Sequence, residues 1–456
     1  MLANPPFNVD KIDATKVESD KRRLPFGLPG VNKEGRVSNG NYVWISYFYS
    51  YLNPQGRAGF VMSAQASSAG NDEKTVRRKL IETGHVDVMV SIRGGFFYTR
   101  TVPCELWFFD KNKRAAGSPR PSDGRMVRSE GKPPRALNDH DHVLMLDARH
   151  VHRQVNRTVY DFSPEQLHNL SAIVWLYRGE RERFLDLADD HLDRAIFAAQ
   201  RCFEPGTGEA PALTALLTAL IAFHEAIGPV CETFPDNSAE ESLAAQAHQA
   251  LSDLSDHAAA FEVAGDSARR HANKRSDTCT VTALRDTLEN RTAGLAATAH
   301  TLAHEAAEAV KLATRLADSL ASSGGESGRR PGEEAFDLRA IRRLAKDLDA
   351  PRQAAVAALE QVRYFHRHAE WLLHRFPDAE FCDVPGLCKA ATRAEIEAAD
   401  WSLTPGRCVG VAAVEEDEDF DFDETMRGID TAVEDLNREA VKLAKTIHQN
   451  FVALGV

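Results

Sequence analysis

The chain has 456 residues, is 43% hydrophobic and 27% charged, and carries a net charge of −12. That length leaves room for two or three domains with sizeable cores, and the acidic balance argues against a wholly basic nucleic-acid coat while leaving a local basic patch open. No apolar run approaches the length of a membrane span, and seven scattered cysteines without a CxxC pair fit a reducing cytoplasm rather than a disulfide framework or a zinc knuckle.

The chain opens on "MLANPPFN". A short apolar lead-in resembling a strand end runs straight into Asn4, Pro5, Pro6 and Phe7, which interrupt any signal peptide at once. The segment 41–52, "NYVWISYFYSYL", reads as a helix with Val43, Trp44, Tyr47, Phe48, Tyr51 and Leu52 apolar. "NPQG" then turns into the short buried strand "RAGFVMS". "EKTVRRKLIE" reads as an amphipathic helix, and "HVDVMVSI" and "VPCELWFF" as strands. The loop 111–135 holds eight Lys or Arg against two acidic residues, and "HVLMLDA" gives one more strand. Ser163 caps a helix that has Pro164 at its first position. Strand–helix–strand alternation with nearly continuous apolar strands predicts an α/β layer around a largely buried sheet.

From about residue 180, alanine, leucine, glutamate and arginine dominate and the strand-like runs stop. Long helices are expected there, with a flexible break near 322–334. A last block from about 376 holds a Pro/Gly-punctuated stretch, the acidic run 415–424 and a terminal helix. In that helix Met426, Ile429, Val433, Leu436, Ala440, Leu443 and Ile447 alternate spacings of three and four, a narrow seam for a hairpin partner or for another subunit. The expected division is 1–178, 179–375 and 376–456.

The opening loop suits one chemical problem, methylation of an amino nitrogen whose lone pair is delocalised into a ring. Such a nitrogen needs acceptors that draw its N–H bonds out of plane rather than a strong base. The amide oxygen of Asn4 and the carbonyl of Pro5 are candidate acceptors, two prolines stiffen the backbone, and Phe7 offers a flat face for an extruded base. A rigid turn is the bland alternative for the four residues taken alone. Charge in the loop 111–135 offers Arg125, Arg128 and Lys132 as phosphate contacts, against a solvated loop as the commoner role. His140–His142 and the pair His300/His304 lack a third ligand and read as surface histidines, and Ser163, Ser171 and the cysteines lack the neighbours of a nucleophile.

"LANPPFN", "GNYVWISYFYSYLNPQGRAGFVMS", "VRRKLIETGHVDVMVSI", "FFYTRTVPCELWFFDKNK" and "HVLMLDAR", with the tail "FPDAEFCDVPGLCKAATRAEIEAADWSLTPGRCVGV", together resemble the modification (M) subunit of type I restriction-modification systems. The resemblance implies an adenine-N6 DNA methyltransferase that uses S-adenosylmethionine. It places the motif on Asn4, Pro5, Pro6 and Phe7 and the adenine-clamping aromatic on Phe97 or Tyr98. The implied fold is the C-terminal part of a Rossmann-like methyltransferase sheet, followed by a mainly α-helical region and a coiled-coil-like C-terminal helix. The implied partners are double-stranded DNA, a specificity subunit through 424–452, and the restriction subunit of the full complex, in the cytoplasm and away from membranes.

The family's glycine-rich cofactor loop precedes its NPPF motif, whereas Met1, Leu2 and Ala3 alone do so here. The expectation is therefore an N-terminally truncated chain without a cofactor-binding half and inactive alone, that half being either encoded upstream or lost. No metal is expected. The rival expectation is a non-catalytic remnant serving as a helical scaffold or partner-binding module.

Overall fold

The computed structural model describes residues 1–97, 101–114, 137–156, 159–204, 211–232, 234, 238–273, 279–323 and 338–411. Tyr98, Arg125, Arg128, Lys132, the acidic run and the terminal heptad helix lie outside the described residues. Met1–Gly410 form one compact unit.

Six strands build its main sheet: β1 (Leu2–Ala3), β2 (Arg57–Ser63), β3 (Val86–Ile92), β4 (Cys104–Asp110), β5 (His142–Asp147) and β6 (Cys388–Thr392), in the order β1-β2-β4-β3-β5-β6. β1 runs parallel to β2, and β3 parallel to β5, while β4 and β6 are antiparallel to their neighbours. Thus β1, β2, β3 and β5 all point the same way, and Asn4, Ala64, Arg93 and Ala148 leave the sheet at one end. Strand side chains alternate between faces. Val143, Met145, Trp107 and Phe109 go to the face covered by α1 (Asn41–Ser50) and α2 (Asn71–Glu82). Leu144, Leu146, Val88 and Val90 go to the face covered by α3 (Pro164–Tyr177) and α4 (Arg181–Arg201). Ser163 caps α3 as expected, and Gln166 returns the bond to make a capping box.

The sheet is mixed, with parallel strands and many helices around it. The residues of β6 carry no periodic apolar signal and were not anticipated as a strand. Their pairing with β5, from Cys388 opposite Leu146 to Thr392 opposite His142, supplies the reason they form one. Beyond β6 the chain crosses to the α2 side. There the buried Arg77 donates from Nε to the Trp401 carbonyl at 2.6 Å, and the Leu403 N–H donates to the Ser67 carbonyl at 2.9 Å.

Helices α5 (Ala212–Cys231), α6 (Ala239–Ala272), α7 (Ala293–Ser323) and α8 (Asp349–Arg375) share a second core with the end of α4. α5 corrects one sequence expectation, because it is long and apolar enough by length and composition to cross a membrane. Leu213, Leu216, Leu220, Phe223 and Ile227, at spacings of three and four, bury one stripe of it in this core.

Two further expectations change. Lys113, read as part of a solvated or phosphate-binding loop, is buried. Its Nζ donates to the carbonyls of Val86 and His142 at 2.7 and 2.6 Å and lies 3.9 Å from Asp87. Burial pushes its ammonium down to about 8 against the attraction of Asp87. Arg178 reaches the other Asp87 oxygen at 2.6 Å, so one buried carboxylate faces two cations. Asp87→Ala leaves both uncompensated and is expected to cost about 3–5 kcal/mol in urea denaturation. Removing Asp10, whose contact with Lys11 is exposed, is expected to cost less than about 0.5 kcal/mol in the same measurement. His140 and His142 are half-buried rather than surface groups, since His142 Nδ1 meets Asp139 at 2.7 Å and His140 stacks edge-on against His85.

Candidate functional site

The Asn-Pro-Pro-Phe segment leaves the sheet directly from β1, at the end where the parallel strands finish, and sites in open α/β sheets gather at this end. Asn4 is exposed and its amide makes no hydrogen bond among the described residues. Pro5 is buried and Pro6 exposed, so the stiff pair straddles the surface. Phe7 is half-buried and packs against both sheet-face cores at the rim.

The structure brings Phe97 to Phe7. Their ring centroids are 6.3 Å apart at 71°, an edge-to-face pair. The turn bearing Phe97 is fixed by its neighbours. Phe96 packs on Phe162 at 4.7 Å, and the Gly95 carbonyl accepts the Tyr160 N–H at 3.0 Å. Arg93 lies 3.7 Å over the Tyr160 ring, with its Nη1 2.6 Å from His152 Nε2. The arrangement offers an exposed amide acceptor on a stiff loop, two aromatic rings beside it and a cation further along the same rim.

Sequence reasoning passed over Glu105, the lone carboxylate in the strand "VPCELWFF". It is the second residue of β4, at this same end of the sheet, and is 1% exposed. The Ser91 hydroxyl lies 3.4 Å from its Oε1, and Oε2 has no partner among the described residues. Burial pushes its carboxyl up to about 8, against hydrogen bonds from Ser67 and Ser91, so it is protonated at neutral pH. The signal was available, because a charged residue inside an apolar strand is paired or neutralised when buried.

The family resemblance calls for a glycine-rich turn between a strand and a helix to hold S-adenosylmethionine. The one glycine pair among the described residues, Gly94-Gly95, is closed by its own chain, since a Cβ at Gly94 would lie 2.6 Å from the Thr101 carbonyl oxygen. The described residues do not fit that cofactor. Nor do any three His, Cys, Asp or Glu among them form a metal cluster. Cavities of about 700 and 380 Å³ are lined by none of Asn4, Phe7 and Phe97, the first lying beside Arg181 and Arg285 and the second beside Tyr364 and Trp371.

Comparison with known proteins places these elements. Residues 1–189 match the family model described as N-6 DNA Methylase. The type I restriction enzyme MjaIX methylase subunit of Methanocaldococcus jannaschii is 40% identical over 116 residues, 25% of this chain and 20% of that protein. The HindI methylase subunit of Haemophilus influenzae is 23% identical over 205 residues, 45% of this chain and 38% of that protein. The chain thus spans between a fifth and two fifths of the length of these relatives. A type I methyltransferase subunit from Streptococcus thermophilus, known from its crystal structure, aligns at 18% identity and TM-score 0.29 over 37% of this chain and 30% of that one. Residues 1–189 are thus similar to the N-6 DNA methylase family and to the methylase subunits of type I restriction enzymes.

Proposed function

We propose that this chain supplies the target-adenine site of a type I adenine-N6 DNA methyltransferase, with Asn4, Pro5, Pro6 and Phe7 as its acceptor loop and Phe97 as the aromatic that clamps the extruded base. The observation that carries the reading is the meeting of Phe7 and Phe97 beside the unengaged amide of Asn4. An adenine amino group has its lone pair drawn into the ring. Accepting its two N–H bonds at the Asn4 amide oxygen and the Pro5 carbonyl pulls the nitrogen towards a tetrahedral shape and frees the lone pair for attack. The developing positive charge is stabilised by the same two oxygens, and a proton leaves once the new N–C bond has formed. Phe7 and Phe97 hold the base by its flat faces and edges and keep water from its ring.

The family's methyl donor is S-adenosylmethionine, and its pocket is to be sought outside the described residues of this chain. Double-stranded DNA is the substrate, and a specificity subunit meeting the segment 424–452 is the proposed source of site choice. The base-capture part is testable without donor or known site. A duplex carrying 2-aminopurine in a mispair, where extrusion costs least, is expected to brighten on binding the full chain. Stacking on one aromatic is worth about 1–3 kcal/mol per base, so Phe97→Ala is expected to reduce the captured fraction by about 10–100-fold at equal DNA occupancy. Unchanged fluorescence in that variant removes Phe97 from the site.

A further inference from the structure

The chain segment that carries Asn4 and Phe7 is held at two points. Before it, Leu2 and Ala3 pair with Gly59 and Phe60. Between the two points stand Pro5 and Pro6, which have no N–H to donate. After it comes Asn8, and here the structure shows a clasp. The Asn8 N–H donates to Asn41 Oδ1 at 2.9 Å, and Asn41 Nδ2 donates back to Asn8 Oδ1 at 2.9 Å.

The clasp has its own support. Asn41 opens α1 and is 1% exposed. The Asn39 amide adds a second donor to Asn8 Oδ1 at 3.2 Å, while its own oxygen accepts the Asn41 N–H at 2.9 Å. The Gly40 N–H donates to the Val9 carbonyl at 2.8 Å. A Cβ on Gly40 would stand 3.2 Å from that Val9 oxygen and 2.6 Å from the tip of Ile12, so glycine permits the close approach. Asn8 itself takes a φ of 52°, the left-handed region that asparagine tolerates better than most residues, and this turns the chain directly after Phe7.

We propose that Asn41, acting through Asn8, is a positioning residue that sets the Asn4–Phe7 loop against Phe97. It touches no reacting atom. Its amide is the group required, because it must accept from a backbone N–H and donate to a side-chain oxygen at once. Aspartate supplies only the acceptor, and leucine neither. The inference rests on the base-capture reading above and adds to it the element that fixes the loop.

The test uses the full chain and two readouts, amide hydrogen exchange over residues 4–10 and the 2-aminopurine response at equal DNA occupancy. Asn41→Leu is expected to speed exchange at the Asn8 amide by about tenfold or more. It is also expected to lower base capture by about tenfold or more through misplacement of the loop. Asn41→Asp keeps the acceptor for the Asn8 N–H, so its exchange at that amide stays near wild type while capture falls between the other two. This graded order is what a general loss of packing would not produce, and the aspartate variant carries the test if the leucine variant does not fold. Wild-type exchange and capture in Asn41→Leu would overturn the proposal. Faster exchange with undiminished capture would overturn the positioning role while leaving the clasp. Absence of any response in the wild-type chain, with Asn8 still protected through Asn41, would instead sink the base-capture reading and the positioning role with it.

Discussion

Replacing Asn4 by alanine is expected to lower N6-adenine methylation that depends on this chain by about 10²–10³-fold, with DNA affinity changed less than about threefold. The magnitude follows from removing one preorganised polar group aimed at charge that develops only in the transition state. The affinity is spared because Asn4 is one exposed amide, whereas phosphate contacts supply most of the affinity in protein–DNA binding generally. Asn4→Asp keeps an acceptor oxygen and is expected to retain more activity than alanine. Methyl incorporation into genomic DNA by the reconstituted complex, with binding followed separately, checks both. Equal losses in aspartate and alanine would show that an acceptor oxygen at this position is not sufficient for the step.

The second large effect concerns pH. Glu105 has its carboxyl raised from 4.5 to about 8 by burial. Between those values the folded state holds a proton that the unfolded state has lost. Glu105 therefore contributes stability that is complete below about pH 4.5, declines as pH rises, and is gone above about pH 8. Glu105→Gln holds the neutral form permanently. Its stability relative to wild type is expected to be near zero at pH 5 and to grow to roughly 3 kcal/mol at pH 8, read as a widening gap between denaturation midpoints. A gap independent of pH would mean that Glu105 is ionised or paired at neutrality.

The sequence revealed what depends on local patterns. The helix at 41–50 and the strands at 57–63, 86–92, 104–110 and 142–147 follow apolar periodicity and fall where that periodicity puts them. Ser163 and Pro164 mark their helix start by chemistry that acts over three residues. The features that escaped rest on partners distant in sequence. "CKAAT" becomes β6 because β5 offers it a ladder, and Lys113 is buried because Asp87 and two carbonyls await it. Asn41 looked like an ordinary first helical residue, and its role appears only when Asn8 arrives opposite it. α5 departs in another way: no apolar run of span length was expected, yet its length and composition pass for one, while one stripe of it packs in the helical core. Asn4, Phe7 and Phe97 were among the candidates the sequence offered, but the meeting of Phe7 with Phe97 and the clasp beside it appear only in the fold.

The central claim is that the rim bearing Asn4, Phe7 and Phe97 receives adenine for N6 methylation. Single-molecule sequencing of genomic DNA from the strain that encodes the chain, with and without Asn4→Ala at the chromosomal locus, tests it most directly. The expected result is that one N6-methyladenine sequence motif present in the parent disappears in the variant while every other methylated motif persists. The same set of methylated motifs in both strains would contradict the account.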